Sequence, residues 1–161
     1  MNVNERAPAA PCGRLRLAAA LLLVAAGAPL IAAPANQIRE RIAGYKQLGA
    51  SFKTVNDSLR APSPSVPQIQ AAARQIRAAA SRQYGWFPAG SGPRPGVKTA
   101  AKPEIWAQGA RFRQLQDGFA AQAKAFQRAV DEGNSVAIRT AARSLGASCK
   151  ACHDQFRAET D

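Results

Sequence analysis

Four segments of this chain carry apolar residues at the three-and-four spacing of an α-helix, and no segment sustains the alternation of a β-strand. Ile38, Ile42, Tyr45, Leu48, Phe52, Val55 and Leu59 make the first stripe, about six turns long. Ala61-Pro62-Ser63-Pro64-Ser65 ends that helix near Leu59 or Arg60, because proline has no amide hydrogen and fixes φ. A second helix is predicted from 65–67 to near residue 84, with Ser65 as N-cap. Ile69, Ala72, Ala73, Ile76 and Ala80 form its apolar side, and Arg74, Arg77 and Arg82 its solvated side.

A third helix is predicted over 103–132, striped by Phe112, Leu115, Phe119, Ala123, Phe126 and Val130. Asn134 is suited to cap a fourth, whose stripe is Val136, Ile138, Ala142, Leu145, Cys149, Cys152 and Phe156. Between the second and third lies 85–102, GWFPAGSGPRPGVKTAAK, dense in Gly and Pro. A loop of that length in a compact domain is usually functional or a crossover, and Trp86 and Phe87 are placed to plug it onto the helices. Four amphipathic helices in 161 residues bury their stripes most simply as one all-α domain, an antiparallel up-down-up-down four-helix bundle.

The first 35 residues read differently. Arg14 and Arg16 precede an uncharged run over 17–33, followed by Ala33-Pro34-Ala35. This is the layout of a secretory signal peptide, cleaved after Ala33 or Ala35. As a membrane anchor the run is weak, because Gly27 and Pro29 interrupt it and a span needs about 20 apolar residues. Arg14-Leu15-Arg16 is not a twin-arginine pair, so the chain is expected to cross unfolded into the periplasm. The domain is then 36–161. The whole sequence has 22 Lys+Arg against 10 Asp+Glu, a charge of +12. Losing Arg6, Arg14, Arg16 and Glu5 leaves 19 basic and 9 acidic residues, or +10.

Processing also removes Met1 and Cys12. Cys149, Cys152 and His153, all within five residues, are then the only remaining Cys and His, and no Met is left. That inventory cannot close a four-ligand zinc site or build a disulfide framework, and any hydrolase would depend on one imidazole. On a helix, positions i, i+3 and i+4 share a face. Two thiols so spaced can add to the two vinyl groups of one haem while the next imidazole reaches its iron. Cys149-Lys150-Ala151-Cys152-His153 therefore reads as c-type haem attachment, one covalently bound haem c per chain. A thioredoxin-like pair would need a βαβ context, and a disulfide across one helical turn would be strained. With no second imidazole or thioether, the iron is expected to be five-coordinate, held by His153 alone, with its other face open to diatomic gases or blocked; Lys, Tyr or a terminal amine are less common sixth ligands.

These features resemble the cytochrome c prime (cytochrome c') family across essentially all of 37–158. The resemblance is carried by the closing run Cys149-Lys150-Ala151-Cys152-His153-Asp154-Gln155-Phe156-Arg157, by Ala101-Lys102-Pro103-Glu104-Ile105-Trp106, by Phe87-Pro88-Ala89-Gly90-Ser91-Gly92, and by Arg41, Tyr45, Leu48 and Phe52. It implies that Cys149 and Cys152 form the thioethers, that His153 is the proximal ligand, and that Arg41 lies near a haem propionate. It further implies that Tyr45 faces the distal side, Phe52 and Phe87 line the pocket, and Arg157 lies near the proximal face. Taken by spacing alone, Tyr45 and Phe52 are equally ordinary core, Arg41 a surface charge and Arg157 a cap on the helix C-terminus. The sequence departs from the common family form at Arg41-Ile42, where a polar residue often follows the Arg. Gly44 also weakens the first helix by about 1 kcal/mol relative to Ala.

The resemblance implies NO and CO binding, electron transfer, or both, and a homodimer. The second reading is a simple electron shuttle whose basic surface docks an acidic redox partner. An enzyme is not expected, since a peroxidase would lack a distal His. Neither nucleic-acid binding nor membrane integration of the processed chain is expected.

Overall fold

A computed structural model describes residues 34–159, so the expected signal segment lies, apart from its last two residues, outside the described residues. Five α-helices and no strand are present among them: α1 Pro34–Arg60, α2 Val66–Arg82, α3 Glu104–Ala107, α4 Gly109–Glu132 and α5 Ser135–Phe156. No helix among the described residues is long and apolar enough to cross a membrane.

The predicted stripes become the packing surfaces. α1 packs on α2, α2 on α4, and α4 on α5, while α1 and α5 touch sparingly. Val55, Ile76, Phe126, Val130 and Leu145 are fully or almost fully buried in one cluster that spans these four helices. Burying each such side chain contributes about 1.5–3 kcal/mol, which exceeds what helix propensity supplies and makes tertiary burial the main stabiliser of the helices. A second cluster forms beside the long loop, from Ile105, Phe112 and Phe156 with Phe87, Trp106, Leu115 and Cys152 against it.

The turns follow side-chain chemistry. After α1, the Ser65 amide donates to Ser58 Oγ at 2.9 Å and ties the proline-rich turn down. Gly133 closes α4 with φ of 73°, a left-handed conformation that costs glycine little. Asn134 then caps α5, its side-chain oxygen accepting from the amides of Val136 and Ala137 at 3.0 Å each. Gln83 and Gln116, both buried, donate to each other's backbone carbonyls at 3.2 Å, so neither amide side chain lacks a partner.

Three local expectations are corrected. The third helix is not continuous over 103–132: Gln108, at φ −118° and ψ 45°, leaves the helical region and separates α3 from α4. Trp106 Nε1 donates to the Pro88 carbonyl at 3.2 Å and anchors α3 to the loop. Ser65 has the extended backbone of an N-cap but makes no capping hydrogen bond through its side chain. Val136 is 72 % exposed, because it sits in the first turn of α5, ahead of the packed part of the stripe.

Candidate functional site

The C-terminal half of α5 carries the motif, and Arg157 ends that helix with its amide donating to the His153 carbonyl at 3.0 Å. The chain end is stitched to the long loop by Lys102 N to Phe156 O at 3.0 Å and Ala158 N to Ala100 O at 2.8 Å. This short bridge fixes the motif-bearing turn against 100–102, and no periodicity in the sequence announced it.

Cys149 and Cys152 are both free thiols, half-buried, three residues apart on α5. Cys149 packs against the main core and Cys152 against the second cluster, so the pair straddles the seam between them. Burial pushes the Cys149 thiol above its ordinary pKa, and burial with the neighbouring Cys149 pushes Cys152 up to about 11. His153 presents an exposed edge, yet part of its ring is shielded. That desolvation, with Arg157 nearby, holds its pKa below the usual imidazole value, and Asp154 opposes the shift. A neutral imidazole is the form that ligates a metal. Lys150 pairs with Asp154 across one turn at 2.6 Å, an exposed contact of little energetic weight.

Facing this seam is a run of aromatic rings. Tyr45 meets Trp86 edge-on at 4.8 Å and Phe87 at 6.1 Å; Phe87 meets Phe112 at 4.7 Å; Phe112 meets Phe156 at 5.2 Å. The Tyr45 phenol finds no hydrogen-bond partner among the described residues. Its pKa is raised by burial first and then by the proximity of the two cysteines, which places it at the same end of the bundle as the thiols.

Arg41 is 2 % exposed, and among the described residues no carboxylate pairs with it. Its two terminal nitrogens donate to Trp86 O (3.2 Å), Ser91 Oγ (3.1 Å), Ser91 O (3.0 Å) and Thr99 Oγ1 (3.2 Å). The guanidinium also lies 4.8 Å from the Phe87 ring centre. Desolvation lowers its pKa, though a guanidinium stays charged. Arg41 therefore holds the 86–101 loop on α1. Phe52, by contrast, is not part of the aromatic run; it lies half-buried against the core, close to Gly146. The Arg157 side chain is exposed beside His153. The structure thus brings Tyr45, Phe87, Cys149, Cys152 and His153 to one end and sets Phe52 along the α1–α5 side. Sequence reasoning missed Ser91 and Thr99 as Arg41 acceptors. The one available signal was an arginine abutting an apolar stripe.

The donor set fits a covalently held porphyrin: two free thiols one turn apart, an adjacent imidazole, and aromatic walls in place of polar groups. Among the described residues no group of three or more His, Cys, Asp or Glu is arranged to hold a bare metal ion. Fold and donors together define a c-type haem protein of the all-α class. A family model described as Cytochrome C' matches residues 36–157, and the chain belongs to that family, whose members carry covalently bound c-type haem.

Among curated proteins, the chain is 44% identical over 57 residues to cytochrome c' of Alcaligenes xylosoxydans xylosoxydans, covering 35% of this chain and 45% of that one. It is 37% identical over 68 residues to that of Rubrivivax gelatinosus, covering 42% and 53%. The matched stretches thus span about half the length of these relatives. Among solved structures, cytochrome c' of Thermochromatium tepidum superposes with a TM-score of 0.75 at 31% identity, covering 80% of this chain and 98% of that one. A cytochrome c' described as having a ligand-controlled dimer dissociation superposes equally well, at 29% identity and the same coverage. A nitric oxide complex of a variant cytochrome c prime from Alcaligenes xylosoxidans gives 0.70 at 27% identity, covering 78% and 97%.

Proposed function

We propose that this chain is a periplasmic c-type haem protein with a five-coordinate, high-spin iron that binds NO or CO, transfers electrons, or does both. One observation carries the reading: His153 is the only imidazole in the sequence, it directly follows Cys152 on α5, and the one methionine is Met1. Bound haem supplies an iron that can take up a diatomic gas and change oxidation state.

The chain's own residues do the rest. Cys149 and Cys152 hold the group covalently and His153 provides the single axial nitrogen. Tyr45, Trp86, Phe87 and Phe112 line the same end with aromatic rings, and burial keeps the Tyr45 phenol in its protonated, weakly ligating form. A solved family member captured with nitric oxide supports gas binding as the leading role. A family member with a ligand-controlled dimer supports a homodimeric assembly here. The protein is proposed to be a binder or carrier and not an enzyme.

Titration of the ferrous protein with carbon monoxide tests the reading. One CO taken up per chain, with a single clean change in the visible spectrum, is expected. A ferrous protein that ignores CO contradicts the gas-binding part of the reading.

A further inference from the structure

Where α1 and α5 separate, they leave an open groove of about 460 Å³. Phe52, Leu59 and Ala142 form its apolar floor, and Arg60, Arg139 and Arg143 stand along it, all three exposed. No carboxylate lines the groove. Arg139 donates to the Leu59 carbonyl at 2.5 Å, which quiets the C-terminal end of α1, and Arg143 donates to Thr140 Oγ1 at 3.3 Å. Both bonds go to neutral oxygens and leave the charges uncompensated. Of the three, and among the described residues, Arg60 alone has a carboxylate near it, Asp57 at 3.9 Å, in an exposed pair that solvent weakens.

The groove reaches Gly146, one helical turn before Cys149. There Phe52 packs closely on α5, since a methyl group at position 146 would come within 3.2 Å of its ring. Three guanidiniums along one groove with apolar lining suit a protein surface with clustered carboxylates around an apolar centre, since guanidinium pairs with carboxylate in a two-point fork. Proximity to the Cys149 turn matters to an electron-transfer partner, because electron exchange falls steeply with distance; it brings nothing to a lipid surface or a free anion.

We infer that the α1–α5 groove, through Arg60, Arg139 and Arg143, is the docking surface for an acidic electron-transfer protein. The inference rests on the haem reading above and adds to it the place and the chemistry of the partner. The test uses the holoprotein and a strongly acidic probe, reduced flavodoxin. The second-order rate of reduction is followed across ionic strength for the wild type, for Arg60→Gln/Arg139→Gln/Arg143→Gln, and for a control with the same charge change, Arg74→Gln/Arg82→Gln/Arg128→Gln, on exposed positions elsewhere. The groove variant should react about tenfold more slowly at low salt, with a flattened salt dependence, while the control stays within about twofold of wild type.

Equal slowing of both variants would overturn the inference, since net charge alone would then explain it. Unchanged flavodoxin rates with groove-dependent binding to phosphatidylglycerol vesicles would overturn it too. Circular dichroism melting checks that the groove variant is folded; should losing the Arg139–Leu59 bond unfold it, Arg60→Gln/Arg143→Gln carries the same expectation at a smaller factor. Failure of the haem reading is distinguishable, because the purified protein would then have no visible band to follow.

Discussion

Gly44 on α1 and Trp86 at the start of the long loop pack so closely that a methyl group at position 44 would lie 2.4 Å from Trp86 Cζ2. The glycine that looked like a weakness in the helix is the space into which the indole fits. Trp86 in turn buttresses Tyr45.

Substitution of Gly44 therefore runs against helix propensity. Gly44→Ala is expected to destabilise by about 1–3 kcal/mol, the cost of overpacking, and to alter Trp fluorescence. Gly49→Ala, on the same helix with nothing within 4 Å of the added methyl, is expected to stabilise by about 0.5–1 kcal/mol. Urea unfolding of the two variants beside wild type checks both signs.

Arg41 fixes the loop through four hydrogen bonds, two of them buried and two part-buried, and a ring contact. Arg41→Ala leaves the carbonyls of Trp86 and Ser91 without that donor, and should cost about 3 kcal/mol or more. Arg41→Lys keeps the charge but cannot reach four acceptors at once, and should recover only part of the loss. Limited proteolysis within 88–98, faster in both variants than in wild type, would show that the loop has come free; equal cleavage rates would count against the clasp.

The two tyrosines predict an alkaline loss of stability. Burial raises the pKa of Tyr45, and burial with the Asp117 hydrogen bond raises that of Tyr84. Their phenols stay protonated in the folded state at pH values where the unfolded chain has lost those protons. Their contribution is therefore fully present below pH about 10, the ordinary phenol value, and is lost as pH rises through the higher folded values. Tyr45→Phe should reduce this alkaline slope and leave stability near neutral pH little changed. Unfolding free energies between pH 7 and 11 measure it.

The thiol assignment is tested chemically. Haem in the wild type should resist acid-acetone extraction, Cys149→Ala/Cys152→Ala should release it completely, and each single variant should keep it through one bond. Extraction of the wild-type group by the same treatment would contradict covalent attachment.

Legibility in the sequence followed how local each cause was. The stripes of α1, α2, α4 and α5, the Gly133 turn and the Asn134 cap depend on residues a few positions apart, and they were readable. So was the Cys149–His153 motif, whose chemistry is complete within five residues. The break at Gln108 was not, because it goes with an anchor 18 residues away in the chain, the bond from Trp106 to the Pro88 carbonyl. The partners of Arg41 lie 45 to 58 residues off in an irregular loop with no period to betray them. Trp86 against Gly44 was equally hidden, since propensity sees only a missing side chain and not the ring that takes its place.

On the proposed reading, the haem iron is held by His153 alone. Electron paramagnetic resonance of the purified ferric protein, with optical spectra of the ferric and ferrous forms and no added ligand, tests it most directly. High-spin signals in both oxidation states are the predicted result. A saturated low-spin spectrum before any gas is added would show a second strong ligand on the iron and contradict the account.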